Sequence, residues 1–184
     1  MFNIFSSFLS IDTFKFNIEK YKKEILNIKK KNKGITRSSY GGWRSDNFTT
    51  VPKEFTDLFN KIDTNIKKLQ KNLHFSKKLR LLNFWFNVNG LGSFNRPHIH
   101  NRSAISGVYY ILIPENSGSI VFMNKDIDDF YTCIDKYNEY NSSSNWTIDP
   151  EENKCILFPS YLKHYVEPNL NKKERISISF NYGF

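Results

Sequence analysis

Apolar residues recur at intervals of three and four in two N-terminal stretches. Ile18, Tyr21, Ile25 and Ile28 form one stripe; Phe55, Leu58, Phe59, Ile62, Ile66, Leu69 and Leu73 form the other. That spacing predicts two amphipathic helices. Thr50 and Pro52 stand at the start of the second, suited to a cap and to a first turn where a missing N–H costs nothing. Between the stripes, G-I-T-R-S-S-Y-G-G-W-R-S reads as an irregular or short-strand segment. Gly41–Gly42 can take positive φ there, and Trp43 can anchor the loop. From residue 79 the period shortens to two. L-R-L-L-N-F-W-F-N-V predicts a strand, ended by the Asn89–Gly90 turn signal. S-G-V-Y-Y-I-L-I-P predicts a second, closed by Pro114 and a Ser/Gly turn at 117–119. I-V-F-M, C-I-L-F, H-Y-V-E and R-I-S-I-S-F complete the set. A polar stretch from about 124 to 149 has weak periodicity and reads as a lid or insertion. The expected fold is mainly β: an antiparallel double-sheet barrel with helices packed outside. A single domain over 1–184 is expected, with a helical layer over about 1–78 and a β core over about 79–184.

Composition supports a folded chain. Of 184 residues, 39% are hydrophobic and 16% aromatic, which excludes a disordered polar segment and suffices for a real core. No stretch approaches a membrane span, and Met1 is not followed by a basic then apolar leader, so a soluble cytoplasmic protein is expected, in a host cytoplasm if phage-encoded. Cys133 and Cys155 make no disulfide framework, and Cys155 sits in an apolar run as a small core residue. The net charge of +9 invites nucleic acid, an acidic protein or an anionic metabolite as partner. Much of it is Lys in a chain also rich in Asn and Ile, which fits a solvated face as well. Charge alone names no substrate, and oligomeric state stays open.

The chemistry concentrates in three of the four histidines. His98 and His100 alternate in P-H-I-H-N, so an extended segment points both to one side. Imidazole suits Fe(II), Zn(II), Co(II) or Ni(II). An isolated H-x-H is as consistent with hydrogen-bonded histidines flanking Pro97. His164 lies just after a strand and turn, where an antiparallel barrel can return a third ligand to the mouth bearing His98. Arg175, Ser177 and Ser179 share one face of their strand and Ile176, Ile178 and Phe180 the other. A buried guanidinium needs an anion. A fork plus a hydroxyl two residues later matches a carboxylate; an ion pair with Glu167 or Glu174 is the structural alternative. His74, in a basic stretch, reads as a solvated or capping residue. Tyr109 and Tyr110 point to opposite faces, so one of them can line a cavity. Asn83 and Asn87 share a face with Trp85 and, with Asn95, are candidates to hydrogen-bond a metal ligand or cosubstrate.

Three stretches carry a family resemblance: W-F-N-V-N-G-L-G-S-F-N-R-P-H-I-H, S-G-V-Y-Y-I-L-I-P-E-N-S-G-S-I-V-F, and I-L-F-P-S-Y-L-K-H-Y-V-E-P-N with E-R-I-S-I-S-F-N. G-G-W-R-S is an upstream echo. Over about residues 38–182 the chain resembles the iron(II)/2-oxoglutarate-dependent oxygenases, specifically a family of small oxygenases common in marine bacteria and their phages. The resemblance implies a double-stranded β-helix (jelly-roll, cupin-like barrel), Fe(II) as metal, and 2-oxoglutarate and dioxygen as cosubstrates. It implies hydroxylation of an unidentified substrate, for which the net charge suggests an anion, with decarboxylation of 2-oxoglutarate to succinate. His98 resembles the first metal ligand and His164 the distal one. Arg175 resembles the arginine that holds the far carboxylate of 2-oxoglutarate, assisted by Ser177, with Tyr110 and Asn83 also candidates for cosubstrate contact. The superfamily usually has Asp or Glu two residues after the first His. Here His100 stands there, giving an all-nitrogen triad, while Asp126, Asp128 and Asp129 could approach from a loop.

Two competing functions remain from the sequence. Gly92 followed by H-x-H resembles the opening of a cupin motif, which suggests a metal-binding protein or enzyme that does not use 2-oxoglutarate; the expected Glu is missing around Ala104 and Ile105. A basic nucleic-acid-binding or interaction protein is the other, with charge but no recognised binding fold behind it.

Overall fold

The computed structural model describes residues 7–124 and 145–184. Both predicted helices form. Helix α1 spans Ile18–Lys31, capped by the Asn17 side chain, which accepts from the Glu19 N–H at 3.1 Å. Glu19 in its first turn and Lys29–Lys31 in its last complement the helix dipole. Helix α2 spans Thr56–Asn72 and follows a 3-10 turn over Lys53–Phe55. Thr50 does not cap it: the 3-10 turn begins after Pro52, and no side chain caps either start.

Eleven strands are described: β1 Ser10–Thr13, β2 Ser39–Tyr40, β3 Trp43–Arg44, β4 Arg80–Asn89, β5 Phe94–His98, β6 Ile105–Leu112, β7 Ile120–Met123, β8 Asn145–Ile148, β9 Lys154–Pro159, β10 His164–Val166 and β11 Arg175–Gly183. They form two antiparallel sheets. One has six strands in the order β1-β9-β6-β11-β4-β3, the other five in the order β2-β5-β10-β7-β8.

The expected closed barrel is not what forms. Each sheet is open, ending at β1 and β3 in one case and at β2 and β8 in the other, and no ladder joins the ends among the described residues. The chain passes from β2 to β3 through Gly41 at φ 71°, so these consecutive strands sit in different sheets instead of pairing. A period of two states which residues share a face, and it is the same for a sandwich and a barrel. Three strands, β1 to β3, also fall within the stretch read as a helical layer. Strand β8 occupies the end of the 124–149 excursion; the rest of that stretch, with Cys133, Asp126, Asp128 and Asp129, lies outside the described residues.

The layers follow from side-chain alternation. Tyr21 and Ile25 of α1 and Leu58, Phe59, Ile62 and Ile66 of α2 are buried in one cluster with Phe84, Phe86, Tyr109, Ile178 and Phe180. That cluster covers the outer face of the six-stranded sheet. Each such side chain contributes about 1.5–3 kcal/mol of burial. A second cluster, with Val108, Tyr110, Phe122, Ile148 and Phe158, draws on both sheets and fills part of the space between them. Cys155 is buried and unpaired, as its apolar surroundings require. No helix among the described residues is long and apolar enough to cross a membrane.

Gly107 on β6 is where the helix-side cluster comes closest to the backbone. A Cβ there would sit 2.4 Å from Phe180 Cε2 and 2.8 Å from the Ile156 carbonyl oxygen. Gly107→Ala is expected to destabilise the protein by about 1–3 kcal/mol. A urea-unfolding midpoint equal to wild type would contradict this packing.

Candidate metal centre

The five-stranded sheet brings two histidines face to face. His164, at the start of β10, pairs directly with His98, at the end of β5. Cross-strand partners share a face, so both rings project into the space between the sheets. His100 lies two residues beyond β5, its backbone N–H donating to the Ser160 carbonyl at 2.9 Å. Ring centroids are 4.4 Å apart for His98 and His164, 5.2 Å for His98 and His100, and 5.1 Å for His100 and His164. One ligand nitrogen from each of the three lies within 4.8 Å of the others.

Hydrogen bonds fix how these rings face. His98 Nδ1 donates to the Arg96 carbonyl at 2.7 Å, and His164 Nδ1 donates to the Leu162 carbonyl at 2.9 Å. A carbonyl oxygen only accepts, so in the neutral rings the proton sits on Nδ1 and Nε2 keeps its lone pair. His100 turns its own Nε2 toward His164 Nε2 at 3.3 Å. Burial and mutual repulsion keep all three neutral. The pKa of His164 falls to about 3 through burial, then the charge of His98. That of His100 falls to about 4 through burial, then His98, against a hydrogen bond to Asn181. His98 is lowered too, by burial first. Three neutral imidazole nitrogens converging at this range form a donor set that fits Fe(II) and its neighbours in the first transition row.

Packing holds the rings. Trp85 stacks on His100 with centroids 5.6 Å apart and planes at 18°, and Phe158 meets His164 edge-on at 4.8 Å. The Arg44 guanidinium lies 4.5 Å from the centre of the Trp85 ring.

The six-stranded sheet supplies the opposite wall. Along β11, Arg175, Ser177 and Ser179 line the same cavity as the three histidines. Arg175 is buried at 2% exposure. Its Nη1 donates to the carbonyls of Ser117 and of Gly118, the latter at 2.9 Å. Burial pulls its pKa down, and nearby Tyr110 opposes that. Neither acid proposed as an ion-pair partner is used: Glu174 takes Lys29 at 2.5 Å, and a Glu167 oxygen accepts from the Ser119 N–H at 3.1 Å. Tyr110 lines the cavity level with Ser177, whereas Tyr109 faces the helices and donates to Asn153 Oδ1 at 2.6 Å.

The asparagines divide. Asn87 and Asn95 line the cavity; Asn83 does not. Asn83 Oδ1 accepts from Asn181 Nδ2 at 2.9 Å, and Asn181 Oδ1 accepts from Ser106 Oγ at 2.8 Å. Asn83 therefore supports Asn181, which in turn bears on His100. The Asn87 carboxamide donates to Ser179 Oγ at 3.0 Å, while its buried Oδ1 has no partner. Sequence reasoning missed Arg44 and Asn181. Arg44 lay in the G-G-W-R-S echo, but only the β3–β4 register shows which face it takes.

The chain's sequence matches the family model described as "Putative 2OG-Fe(II) oxygenase" over residues 83–181. No curated protein matches it. Among solved structures it is similar to a Pseudomonas putida prolyl-4-hydroxylase, at 13% identity and a TM-score of 0.67, covering 96% of this chain and 92% of that one. It is also similar to a Trichoplax adhaerens prolyl hydroxylase solved with a hypoxia inducible factor peptide, at 16% identity and a TM-score of 0.69, covering 95% and 83%. A viral collagen prolyl hydroxylase from Paramecium Bursaria Chlorella virus-1 matches at 16% identity and a TM-score of 0.60, covering 95% and 94%. At these identities the likeness is one of fold.

The depressed histidine pKa values make stability depend on pH. Between about pH 4 and 6.5 the unfolded chain binds protons that His100 and His164 refuse when folded. Stability is therefore full above that window and is lost as pH falls through it, by up to about 1.4 kcal/mol per pH unit for each ring. Denaturant titrations at several pH values should show this slope for the metal-free protein, and His164→Gln should reduce it. A slope unchanged by the substitution would contradict the burial argument.

Proposed function

The chain belongs to the 2OG-Fe(II) oxygenase family, and from that premise we propose that it is an Fe(II)- and 2-oxoglutarate-dependent dioxygenase. It hydroxylates its substrate while 2-oxoglutarate is decarboxylated to succinate. The observation that supports this most is the convergence on one cavity of three neutral histidines and a buried arginine that has no carboxylate partner among the described residues. His98 and His164 hold the metal through Nε2, their Nδ1 protons fixed on backbone carbonyls. His100 is the third ligand, in the place where a carboxylate usually stands. Iron bound there supplies the activation of dioxygen, which no side chain can perform.

The rest of the chemistry belongs to this chain's residues. Arg175 has donors left after its two carbonyl contacts and holds the far carboxylate of 2-oxoglutarate, with the Ser177 hydroxyl beside it. Burial strengthens that pairing, because water competes weakly for either charge. Tyr110 bounds the carboxylate end. Trp85 and Phe158 keep the ligand rings in place and exclude water from the reacting side. With no carboxylate in the ligand set, the metal keeps its full positive charge toward the anionic cosubstrate.

Anaerobic titration of the Fe(II)-loaded protein with 2-oxoglutarate, followed by carbon dioxide release in air, tests this reading. Wild type should bind and slowly decarboxylate 2-oxoglutarate. His164→Ala should lose metal, whereas Arg175→Ala should keep metal and weaken 2-oxoglutarate by about a hundredfold or more, about 3 kcal/mol, the range for truncating a buried charge pair. Wild-type protein that neither binds nor consumes 2-oxoglutarate would overturn it. The His100 assignment is read separately. His100→Ala should lower metal affinity by at least about tenfold on the same tenfold-per-1.4-kcal/mol scale, and an unchanged affinity removes it from the ligand set.

A further inference from the structure

Arg175 is not the only buried guanidinium without an acid among the described residues; a second stacks on the cavity-lining Trp85. Arg44 is 6% exposed, and no described carboxylate forms an ion pair with it. Its Nη1 donates to the Ser45 carbonyl at 2.9 Å and its Nη2 to Asn47 Oδ1 at 2.6 Å, which occupies two of its five N–H groups. Burial works against its charge first, then the charge of Arg37, and Asp46 pulls the other way. The Trp85 ring offsets part of the cost of burying it, and an anion on its remaining N–H groups would offset more.

Its position indicates where that anion comes from. Arg44 pairs across β3 and β4 with Asn87, which pairs in turn with Ser177. All three side chains therefore share the inner face of the six-stranded sheet. Two strand spacings, about 10 Å, separate Arg44 from Ser177. The far carboxylate of one 2-oxoglutarate held at Arg175 and Ser177 is thus not the anion that Arg44 meets. Arg44 sits on β3, the edge strand, against Trp85 and beside Asn87, both of which line the cavity. Its charge is near enough to bear on both His98 and His100. Between Arg44 and Ser177 lies Asn87, with a buried oxygen that no group among the described residues satisfies.

The charge balance points the same way. No Asp or Glu lines the cavity among the described residues. A divalent metal on three neutral imidazoles keeps its whole charge, and Arg175 adds to it. 2-Oxoglutarate brings two negative charges, which leaves a positive excess even before Arg44 is counted.

We infer that Arg44 is an anion subsite for the prime substrate, which carries a carboxylate or phosphate group beside the carbon to be oxidised and a hydrogen-bond donor within reach of Asn87. The inference rests on the oxygenase reading for the role of the site, but Arg44 is tested by binding alone. Zinc-loaded protein, which cannot turn over, is saturated with 2-oxoglutarate and titrated calorimetrically with inorganic phosphate and with acetate. One anion should bind per chain, and the tighter of the two indicates whether the substrate group is phosphate or carboxylate. Arg44→Gln should weaken that binding at least tenfold while moving 2-oxoglutarate affinity less than twofold. Arg44→Lys, which keeps the charge and loses the fork, should fall between them and serves as the comparison if the Gln variant does not fold. Absence of anion binding in wild type, or equal binding in wild type and variants, overturns the subsite. Failure of 2-oxoglutarate to bind wild type is a different result: it removes the oxygenase reading, and the same titration without 2-oxoglutarate still decides Arg44.

Discussion

Strand β11 is covered on both faces, and the rest of the molecule follows from how it meets that constraint. It lies between β4 and β6 and is hydrogen-bonded to both. Its two faces are chemically opposite. Ile176, Ile178, Phe180 and Tyr182 go to the helices, while Arg175, Ser177, Ser179 and Asn181 turn to the second sheet. Apolar residues on one side fix the register, because a slip of one residue would exchange the faces. Once that register is set, Asn87, Trp85 and Tyr110 on the neighbouring strands are committed to the inner face. The polar site is the inner side of a fold held by its outer side.

The five-stranded sheet solves a different problem. Its central strands are short, only three residues in β10 and four in β7, so it contributes little apolar burial of its own. What it contributes is position. The His98–His164 pair is set by a ladder, and the carbonyls of Arg96 and Leu162 set the tautomer of each ring. Buried, mutually close and neutral, the rings present lone pairs where charged imidazoliums would repel a cation. His100 lacks this ladder. It is held instead by Trp85, Asn181 and one backbone hydrogen bond, a looser arrangement than the ladder gives the other two.

Much of this could be read from the residues. The helical stripes, the alternation of β4, β6 and β11, and the shared face of Arg175, Ser177 and Ser179 came from periodicity; which face of that strand looks inward did not. The choice of His98, His164 and Arg175 as a set leaned on family resemblance. Closure of the sheets was misjudged, because alternation is identical in open and closed sheets. Strands β1 and β8 were missed, each four residues long and paired only with distant partners. Asn83 was placed on the correct face but too far along it. It stands four residues from Asn87, about 13 Å along a strand, and so meets Asn181 and not the cavity. Arg44 and Ser39 needed the β2–β3 turn to be known before either could be assigned to a sheet.

Arg175 also joins parts of the fold that no ladder connects. By donating to the Ser117 and Gly118 carbonyls it fastens β11 to the crossover that carries the chain from one sheet to the other. Gly118 has no room for a side chain, since a Cβ would lie 2.4 Å from the Glu167 carbonyl oxygen, so the crossover cannot readily move away from this clasp. The residue proposed to hold the cosubstrate is thus also one that ties the two sheets together. Truncating Arg175 therefore loosens the crossover at this point while leaving the core between β11 and the two helices in place.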